Sequence, residues 1–307
     1  MADAAPMDTG PLAMDKAADM SLTFWGVRGS IPAPGYSTLR YGGETTCIEI
    51  RCGERTVVID CGSGVRMCGD SLRKRNVDSV DVLFTHTHLD HICGLPFFCV
   101  AYDPTIAVNL WAGHVPPGGS LEEIVERLMS PPIFPVATSA LSNTKFCAFK
   151  AGDTIDLGDS LTVRTVRLNH PGNATGYRFD HNGSSIAIIT DHEHGNEEID
   201  AGIEAFVQGA TVMVYDAMYM PDEYDKFVGW GHSTPEKGIA LAKRAGVGHT
   251  LLFHHDPRRT DDQLDALAKT LVDKGAPASF ARQGEKISLT VGQRFARSPA
   301  LVAGGAD

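Results

Sequence analysis

Three histidines and an aspartate occupy four of six consecutive positions in this chain, just after a short, mostly apolar run. The run, residues 80–84, is typical of a buried β-strand, and residues 85–91 then read Thr-His-Thr-His-Leu-Asp-His. Unpaired polar groups are costly to bury, so these side chains need partners at the end of the strand. Imidazoles and a carboxylate at this spacing predict a metal site. The ligands that the pattern predicts are His86, His88, Asp90 and His91.

The composition limits which classes of function fit this chain. Its 307 residues are 43% hydrophobic, which is enough for one large domain or two small ones. The formal net charge of -11 argues against a protein that binds long nucleic acid through counterion release. A small anionic substrate is compatible with this acidity, because a bound dication can reverse the local field. We therefore expect a small anionic substrate and no long nucleic acid.

The cysteines and the termini predict a cytoplasmic protein. The seven cysteines are odd in number and include no Cys-x-x-Cys pair, which favours free thiols in a reducing compartment. Residues 1–20 contain no continuous apolar stretch, and no segment of the sequence approaches transmembrane length, so we expect no signal peptide, no membrane segment and no membrane partner. We expect residues 1–20 to be a disordered tail, residues 21–296 to form one domain, and residues 297–307 to be a loose second tail.

Strand-like and helix-like runs alternate along residues 21–296. Strands are predicted at 22–27, 47–51, 56–60, 80–85, 161–168, 174–179, 186–190, 211–215 and 250–253. Helices are predicted at 121–129 and 197–207, from a cap at Ser233 or Thr234 to Gly246, and from Thr260 to Gly275. Because both halves contain βα units, the pattern predicts an α/β fold in which two sheets form a sandwich with outer helices.

Further metal ligands are predicted at the ends of later strand-like runs. His170 follows the run at 161–168, Asp191 follows the run at 186–190, and His254 follows the run at 250–253. Each of these residues alone is more typical of a turn or a helix cap. The order His-x-His-x-Asp-His, followed by His, Asp and His, is much more specific than its parts and predicts a two-metal site.

This order of ligands resembles the metallo-β-lactamase-fold hydrolase superfamily over residues 21–293. Residues 26–35, Gly-Val-Arg-Gly-Ser-Ile-Pro-Ala-Pro-Gly, resemble its first strand and Gly-rich turn, and residues 60–64, Asp-Cys-Gly-Ser-Gly, resemble its turn before the metal motif. The resemblance implies a four-layer αββα sandwich with two divalent metal ions at one edge. It assigns His86, His88 and His170 to the first metal, Asp90, His91 and His254 to the second, and Asp191 to a bridge between them. Zinc is the usual metal of the family, and the donors would equally take Mn or Fe.

Three other histidines lie beside these ligands in the sequence. Successive side chains of a strand point to opposite faces, so only one of His254 and His255 can face the site, and the family pattern favours His254. We expect His192 and His194, which follow Asp191, to lie outside the first coordination shell.

Two later motifs resemble the phosphodiesterase branch of the superfamily, which includes transfer-RNA 3′-processing endonucleases and cyclic-phosphate phosphodiesterases. They are Gly-His-Ser-Thr at residues 231–234 and Val-Tyr-Asp-Ala at residues 214–217. The resemblance implies attack by a hydroxide that bridges the two metals, with Asp90 orienting it and His232 acting as general acid. Asp216 would support His232, although that branch often has Glu at this position.

The expected substrate is a small phosphodiester such as a cyclic nucleotide. Residues 92–169 contain only five basic residues and no basic arm, whereas a large RNA needs many phosphate contacts. Arg28 is a candidate contact for the substrate phosphate, with a structural salt bridge as the equal alternative. Phe134, in the Pro-rich segment 130–136, is a candidate wall of the pocket. The resemblance also points to a homodimer, which no stripe in the sequence shows.

Three other interpretations stay open. A lactonase or thioesterase would use the same two-metal centre and needs oxyanion stabilisation without phosphate contacts. A diiron redox or oxygen-sensing protein is the second, but members of that branch tend to replace the second histidine of the cluster with Glu, and this chain keeps His88. A binding protein that has lost activity is the least favoured, because all seven ligands are present.

Overall fold

The described residues form two β-sheets that pack face to face. The structure, a computed structural model, describes residues 20–158, 161–290 and 296–298. Its strands are β1 (Met20–Gly26), β2 (Cys47–Cys52), β3 (Arg55–Ile59), β4 (Ser79–Phe84), β5 (Ala107–Ala112), β6 (Thr144–Ala148), β7 (Thr154–Asp156), β8 (Thr162–Leu168), β9 (Ala174–His181), β10 (Ser184–Ile189), β11 (Val212–Asp216), β12 (His249–Phe253), β13 (Ala278–Phe280), β14 (Lys286–Leu289) and β15 (Ala296–Ser298). Its α-helices are α1 (Val65–Lys74), α2 (Leu89–Ile92), α3 (Leu121–Leu128), α4 (Glu197–Val207), α5 (Pro235–Ala245) and α6 (Asp261–Asp273).

The strand order brings several strand ends to one edge. The first sheet has the order β15-β14-β1-β2-β3-β4-β5-β6, and the second has the order β13-β12-β11-β10-β9-β8-β7. In the second sheet β10 to β13 are parallel to one another. β8 and β10 both pair antiparallel with β9, so β8, β10, β11 and β12 all run in the same direction. Their carboxyl ends therefore meet at one edge of the sheet.

A shared core fills the space between the two sheets. Ile50 and Val57 from the first sheet and Ile188 and Val214 from the second belong to one buried cluster. On the outer faces, α1 and α3 pack on the first sheet, while α4, α5 and α6 pack on the second. This is the four-layer αββα sandwich, so the fold prediction is confirmed.

The helix ends agree with the signals in the sequence. Thr234 caps α5 and its side chain accepts a hydrogen bond from the backbone N–H of Lys237, and Gly246 ends the helix in the left-handed conformation with φ 66°. Thr260 and Gln263 form a capping box at the start of α6. These caps fix the two helices that follow β11 and β12, the strands that lead into the site.

The predicted tails lie largely outside the described residues. Met20 belongs to β1 and pairs with Leu289, so the N-terminal tail prediction now concerns residues 1–19, which lie outside the described part. Arg297 and Ser298, placed in the predicted C-terminal tail, belong to β15 and pair with β14, while residues 299–307 lie outside the described part. The division into one domain and two tails stays a prediction. Within the described residues, no helix has the length and apolar character needed to cross a membrane.

Candidate metal centre

The first group of candidate ligands consists of imidazoles that lie just after β4 and β8. His86 and His88 follow β4, and His170 follows β8. The ring of His86 lies 4.3 Å from the ring of His88 and 4.6 Å from that of His170. Nε2 of His170 is 3.1 Å from Nδ1 of His88. Ligand atoms of these three residues all lie within 4.8 Å of one another, which is close enough to hold one ion.

The second group combines the end of the same motif with β12. Asp90 and His91 lie on the short helix α2, and His254 directly follows β12. Nε2 of His254 lies 3.3 Å from Oδ2 of Asp90 and 3.3 Å from Nε2 of His91. His254 adopts φ 61°, a conformation that is uncommon for a non-glycine residue. The strand therefore ends in a sharp turn, and the ring of His254 lies among the other ligands.

Asp191 lies between the two groups. Its Oδ1 is 3.9 Å from Nε2 of His86 and 3.4 Å from Nε2 of His254, and its Oδ2 is 3.4 Å from Nε2 of His91. Like His254, it follows a strand, β10, with a positive φ of 59°. Its carboxylate thus lies beside ligand atoms of both groups.

The chemistry of these residues fits a divalent metal ion. Nε2 of His86 is buried without a hydrogen-bond partner, which is costly unless an ion binds there. Burial lowers the pKa of His86 well below its usual value and that of His170 to about 4, so both rings are neutral, as metal ligands must be. Burial opposes the charge on Asp191, but the neighbouring rings of His254 and His91 hold its pKa well below the usual range. The cluster can therefore bind divalent metal ions.

Buried hydrogen bonds orient the ligand rings from behind. Nδ1 of His91 lies 2.8 Å from Oδ2 of Asp60, which also accepts from the hydroxyl of Thr85 at 2.8 Å. Nδ1 of His170 donates to the carbonyl oxygen of Gly231 at 2.8 Å. Such contacts fix the tautomer, so that Nε2 is the nitrogen left for the metal.

His232 and Asp216 form a buried pair next to the ligands. Nδ1 of His232 donates to Oδ2 of Asp216 at 2.8 Å, and the two rings of His232 and His254 stack with centroids 4.9 Å apart. Asp216 also accepts from the backbone N–H groups of Asp191 at 3.2 Å and Ser233 at 3.1 Å. Burial alone would lower the pKa of His232, but the charge of Asp216 and its hydrogen bond raise it to about 9. Both nitrogens of the His232 ring are therefore protonated at neutral pH.

The structure shows the surroundings of the two predicted substrate contacts. Arg28 is fully buried, and its guanidinium donates to the carbonyl oxygens of Gly42, Asp256 and Arg259. It ties the loop after β1 to the loop after β12, so the structure does not support the phosphate contact. Phe134 packs edge-to-face on Phe97 with ring centroids 5.7 Å apart. Its role as a pocket wall stays a prediction.

The three histidines that we expected to lie outside the metal-ligand groups all contact other residues. His255 is buried and donates from Nε2 to the carbonyl oxygen of Ala281 at 2.9 Å. Nε2 of His192 lies 3.2 Å from Oδ1 of Asp200, and Nδ1 of His194 lies 2.8 Å from the hydroxyl of Ser233. The structure therefore places them outside the metal-ligand groups.

Sequence reasoning missed two carboxylates that support the site. Asp60 begins the motif at residues 60–64, and its position at the end of a strand-like run is the signal that could have identified it as a supporting residue of the site. Glu193 lies between His192 and His194, and no local pattern distinguishes it. Its carboxylate accepts from the backbone N–H groups of Gly229 and Gly231, each at 2.7 Å.

Comparison with known proteins places this geometry in a family. A family model for the beta-lactamase superfamily domain matches residues 55–255, about two thirds of the chain. The protein named ribonuclease Z from Haloarcula marismortui is 24% identical over 308 residues, which cover 84% of this chain and 92% of that protein. Among solved structures, a diphosphatase from the PhnP family has a TM-score of 0.64 at 18% identity, covering 88% of this chain and 98% of that one. The short form of human tRNase Z has a TM-score of 0.60 at 20% identity, covering 88% and 100%.

These matches confirm some expectations and overturn one. The predicted superfamily and the prediction of a hydrolytic enzyme are confirmed. The expectation of no long nucleic acid is wrong, because relatives that match along most of this chain are named ribonuclease Z. The physical reason is that net charge and the count of basic residues in one stretch describe averages, whereas binding depends on the local field around the site.

Proposed function

Because this chain belongs to the beta-lactamase superfamily of metal-dependent hydrolases, we propose that it hydrolyses phosphodiesters with His232 as the general acid. The observation that carries the proposal is the buried hydrogen bond of 2.8 Å between Nδ1 of His232 and Oδ2 of Asp216, directly beside the metal-ligand groups. Cleavage of an alkyl phosphodiester needs such a proton donor, because an alkoxide leaves poorly without a proton. A lactone also expels an alkoxide, so a substrate panel has to separate the lactonase from the phosphodiesterase.

Each side chain next to the metal-ligand groups has a separate role in the proposed reaction. Asp216 accepts the Nδ1 proton of His232 and fixes the ring, which leaves Nε2 to donate a proton to the leaving oxygen. Asp90, whose Oδ2 accepts from the backbone N–H of Ser30 at 2.7 Å, orients the attacking water as an acceptor. When bound, two divalent ions would neutralise charge on the phosphoryl group and lower the pKa of water.

We assign the ions to the groups that the structure brings together. His86, His88 and His170 would hold the first ion, Asp90, His91 and His254 would hold the second, and Asp191 lies where it could contribute to either. Zinc is the proposed metal because imidazole and carboxylate donors suit it, and the same donors also accept Mn or Fe. Elemental analysis of the purified protein tests this assignment.

The proposal covers phosphodiesters as a chemical class. A small diester such as a cyclic nucleotide and an RNA chain present the same reacting group, so the metal centre and His232 serve either. The relatives named ribonuclease Z make RNA a substrate to test beside the small diesters. Both belong in one substrate panel.

The test compares leaving groups in a His232→Ala variant. An alkoxide needs the proton and p-nitrophenolate does not, so turnover of 2′,3′-cyclic AMP should fall by about 10²- to 10⁴-fold, while turnover of bis-p-nitrophenyl phosphate should change little. His181→Ala is the matched control, because His181 ends β9 and lies against Asn182. Metal content should be the same in the three proteins.

Two results would contradict the proposal. Equal loss of turnover with both leaving groups would remove His232 as the proton donor. Lactone or thioester hydrolysis without turnover of any phosphodiester, RNA included, would replace the phosphodiesterase with an acyl hydrolase. Tightly held iron with a visible absorption band would instead support the redox or oxygen-sensing alternative.

A further inference from the structure

A Gly-Trp-Gly turn at residues 229–231 lies next to the metal-ligand groups. Gly229 has φ 91° and Gly231 has φ 87°, a region that favours glycine. A Cβ on Gly231 would also come within 2.2 Å of Nδ1 of His170, so the turn has no room for a side chain there. The turn therefore holds one large side chain, that of Trp230, between two glycines that its geometry requires.

Glu193 fixes this turn in place. Its Oε1 accepts from the backbone N–H of Gly229 and its Oε2 from that of Gly231, each at 2.7 Å. Its own backbone N–H donates at 2.8 Å to the carbonyl oxygen of Asn169, the residue before His170. Glu193 is only 8% exposed, and its carboxylate thus holds the backbone on both sides of Trp230 against the site. The position of Trp230 is fixed even though its side chain faces water.

A row of aromatic rings connects Trp230 to the proposed general acid. Trp230 contacts Phe227 edge-on at 5.5 Å, and Phe227 stacks on Tyr219 at 4.3 Å with an interplanar angle of 5°. Tyr219 in turn meets His232 edge-on at 5.8 Å. Packing therefore supports Trp230 on one side, while 61% of its surface stays exposed. Trp is enriched at contacts with binding partners, so an exposed indole that is held on a rigid turn beside the site is a candidate ligand contact.

We propose that Trp230 is a stacking platform for a nucleobase of the substrate, next to the phosphodiester that is cleaved. The inference rests on the proposed function, which places the phosphodiester at the metal centre beside His232. A base attached to that phosphodiester through its sugar has a flat face that can stack on an exposed indole, and such stacking tolerates any base. This subsite serves a mononucleotide diester and the terminal nucleotide of an RNA alike.

The kinetic test uses two substrates with the same leaving group. Thymidine 5′-(p-nitrophenyl phosphate) carries a base and methyl p-nitrophenyl phosphate does not. In Trp230→Ala the ratio of their kcat/KM values should fall by about 5- to 150-fold, the range expected for loss of one base–aromatic stack. Trp230→Phe should keep most of the ratio. Val228→Ala is the matched control, because Val228 is equally exposed at 61% in the same loop, and it should leave the ratio unchanged.

A binding measurement separates this inference from the proposed function. Equilibrium dialysis of the metal-loaded protein with adenosine 5′-monophosphate and with ribose 5-phosphate needs no turnover. The affinity of Trp230→Ala for the nucleotide should fall by about 5- to 150-fold, and its affinity for the sugar phosphate should not change. Equal nucleotide affinity in wild type and Trp230→Ala, or no preference of the wild type for the nucleotide, overturns the platform. Failure of the wild type to cleave any phosphodiester overturns the proposed function, while the dialysis result still decides the platform.

Discussion

The contact between Asp60 and His91 leads to a specific prediction for Asp60→Asn. Both side chains are fully buried, and Nδ1 of His91 donates to Oδ2 of Asp60 at 2.8 Å. Oδ1 of Asp60 accepts from the backbone N–H of Thr85 at 2.7 Å, and an asparagine oxygen can keep that bond. The asparagine NH₂ group then faces the Nδ1–H of His91, and two donors cannot bond to each other.

The variant has two ways to resolve this conflict, and both weaken metal binding. If His91 keeps its tautomer, a buried donor stays unsatisfied at a cost of about 1–3 kcal/mol. If the proton moves from Nδ1 to Nε2, Nδ1 accepts from the asparagine, but Nε2 can no longer bind a metal. Loss of a supporting contact of this kind typically costs about 10- to 100-fold in metal affinity, or about 1.4–2.7 kcal/mol. The loss should fall on the group that contains His91, Asp90 and His254.

Chelator competition followed by elemental analysis measures this effect. In Asp60→Asn one ion per chain should leave at about 10- to 100-fold lower chelator concentration than in the wild type. The ion at His86, His88 and His170 should leave at the unchanged concentration. Asp103→Asn is the control, because the carboxylate of Asp103 lies outside the ligand groups and accepts hydrogen bonds from the backbone N–H and the hydroxyl of Thr105. If the folded Asp60→Asn variant released both ions at wild-type chelator concentrations, the tautomer argument would be refuted.

Two further variants test the bridge between the groups and the stability of the fold. Asp191→Ala should lose at least one ion, because its carboxylate lies beside ligand atoms of both groups, and full occupancy by elemental analysis would exclude the bridging role. Thr260→Ala removes a capping box and should lower the free energy of unfolding by about 1 kcal/mol in urea titrations, with metal content unchanged. Thr270→Ala is its control, since Thr270 lies in the last turns of the same helix, and an equal loss there would contradict a capping effect.

The strongly patterned elements could be predicted from the sequence because their signals are local. The strand before the first motif is mostly apolar, and the capping residues of the helices α5 and α6 are recognisable in the sequence. The helix α1 was not predicted, because Gly69 and Ser71 lower its helix propensity and it begins without a side-chain cap. Tertiary packing stabilises it instead, since Val65, Cys68 and Leu72 are buried against the first sheet.

The candidate metal ligands could be predicted to lie together because each comes after a strand, and strands that end at one edge bring such residues together. The same reasoning cannot place a side chain whose contacts depend on the folded loops. Arg28 lies in a motif beside the site, but its guanidinium donates to carbonyl groups that only the fold brings near it. Glu193 lies one residue from two histidines, and only the folded turn at Gly229 and Gly231 gives its carboxylate partners. Their roles follow from backbone groups that the sequence pattern does not show.

Substrate preference depends on the same kind of non-local contact, which explains why the sequence wrongly predicted that the protein acts on no long nucleic acid. The net charge of -11 is an average over the chain, whereas a phosphodiester meets only the field near the metal ligands. The five histidines and two aspartates of the ligand pattern indicate that a charged group can be bound, but they do not indicate what is attached to that group. What is attached is met by residues such as Trp230, whose exposure and fixed position arise from Glu193 and two glycines rather than from any motif. In this fold the residues at the strand ends therefore indicate the type of reaction, whereas substrate specificity depends on the loops that pack against those strand ends.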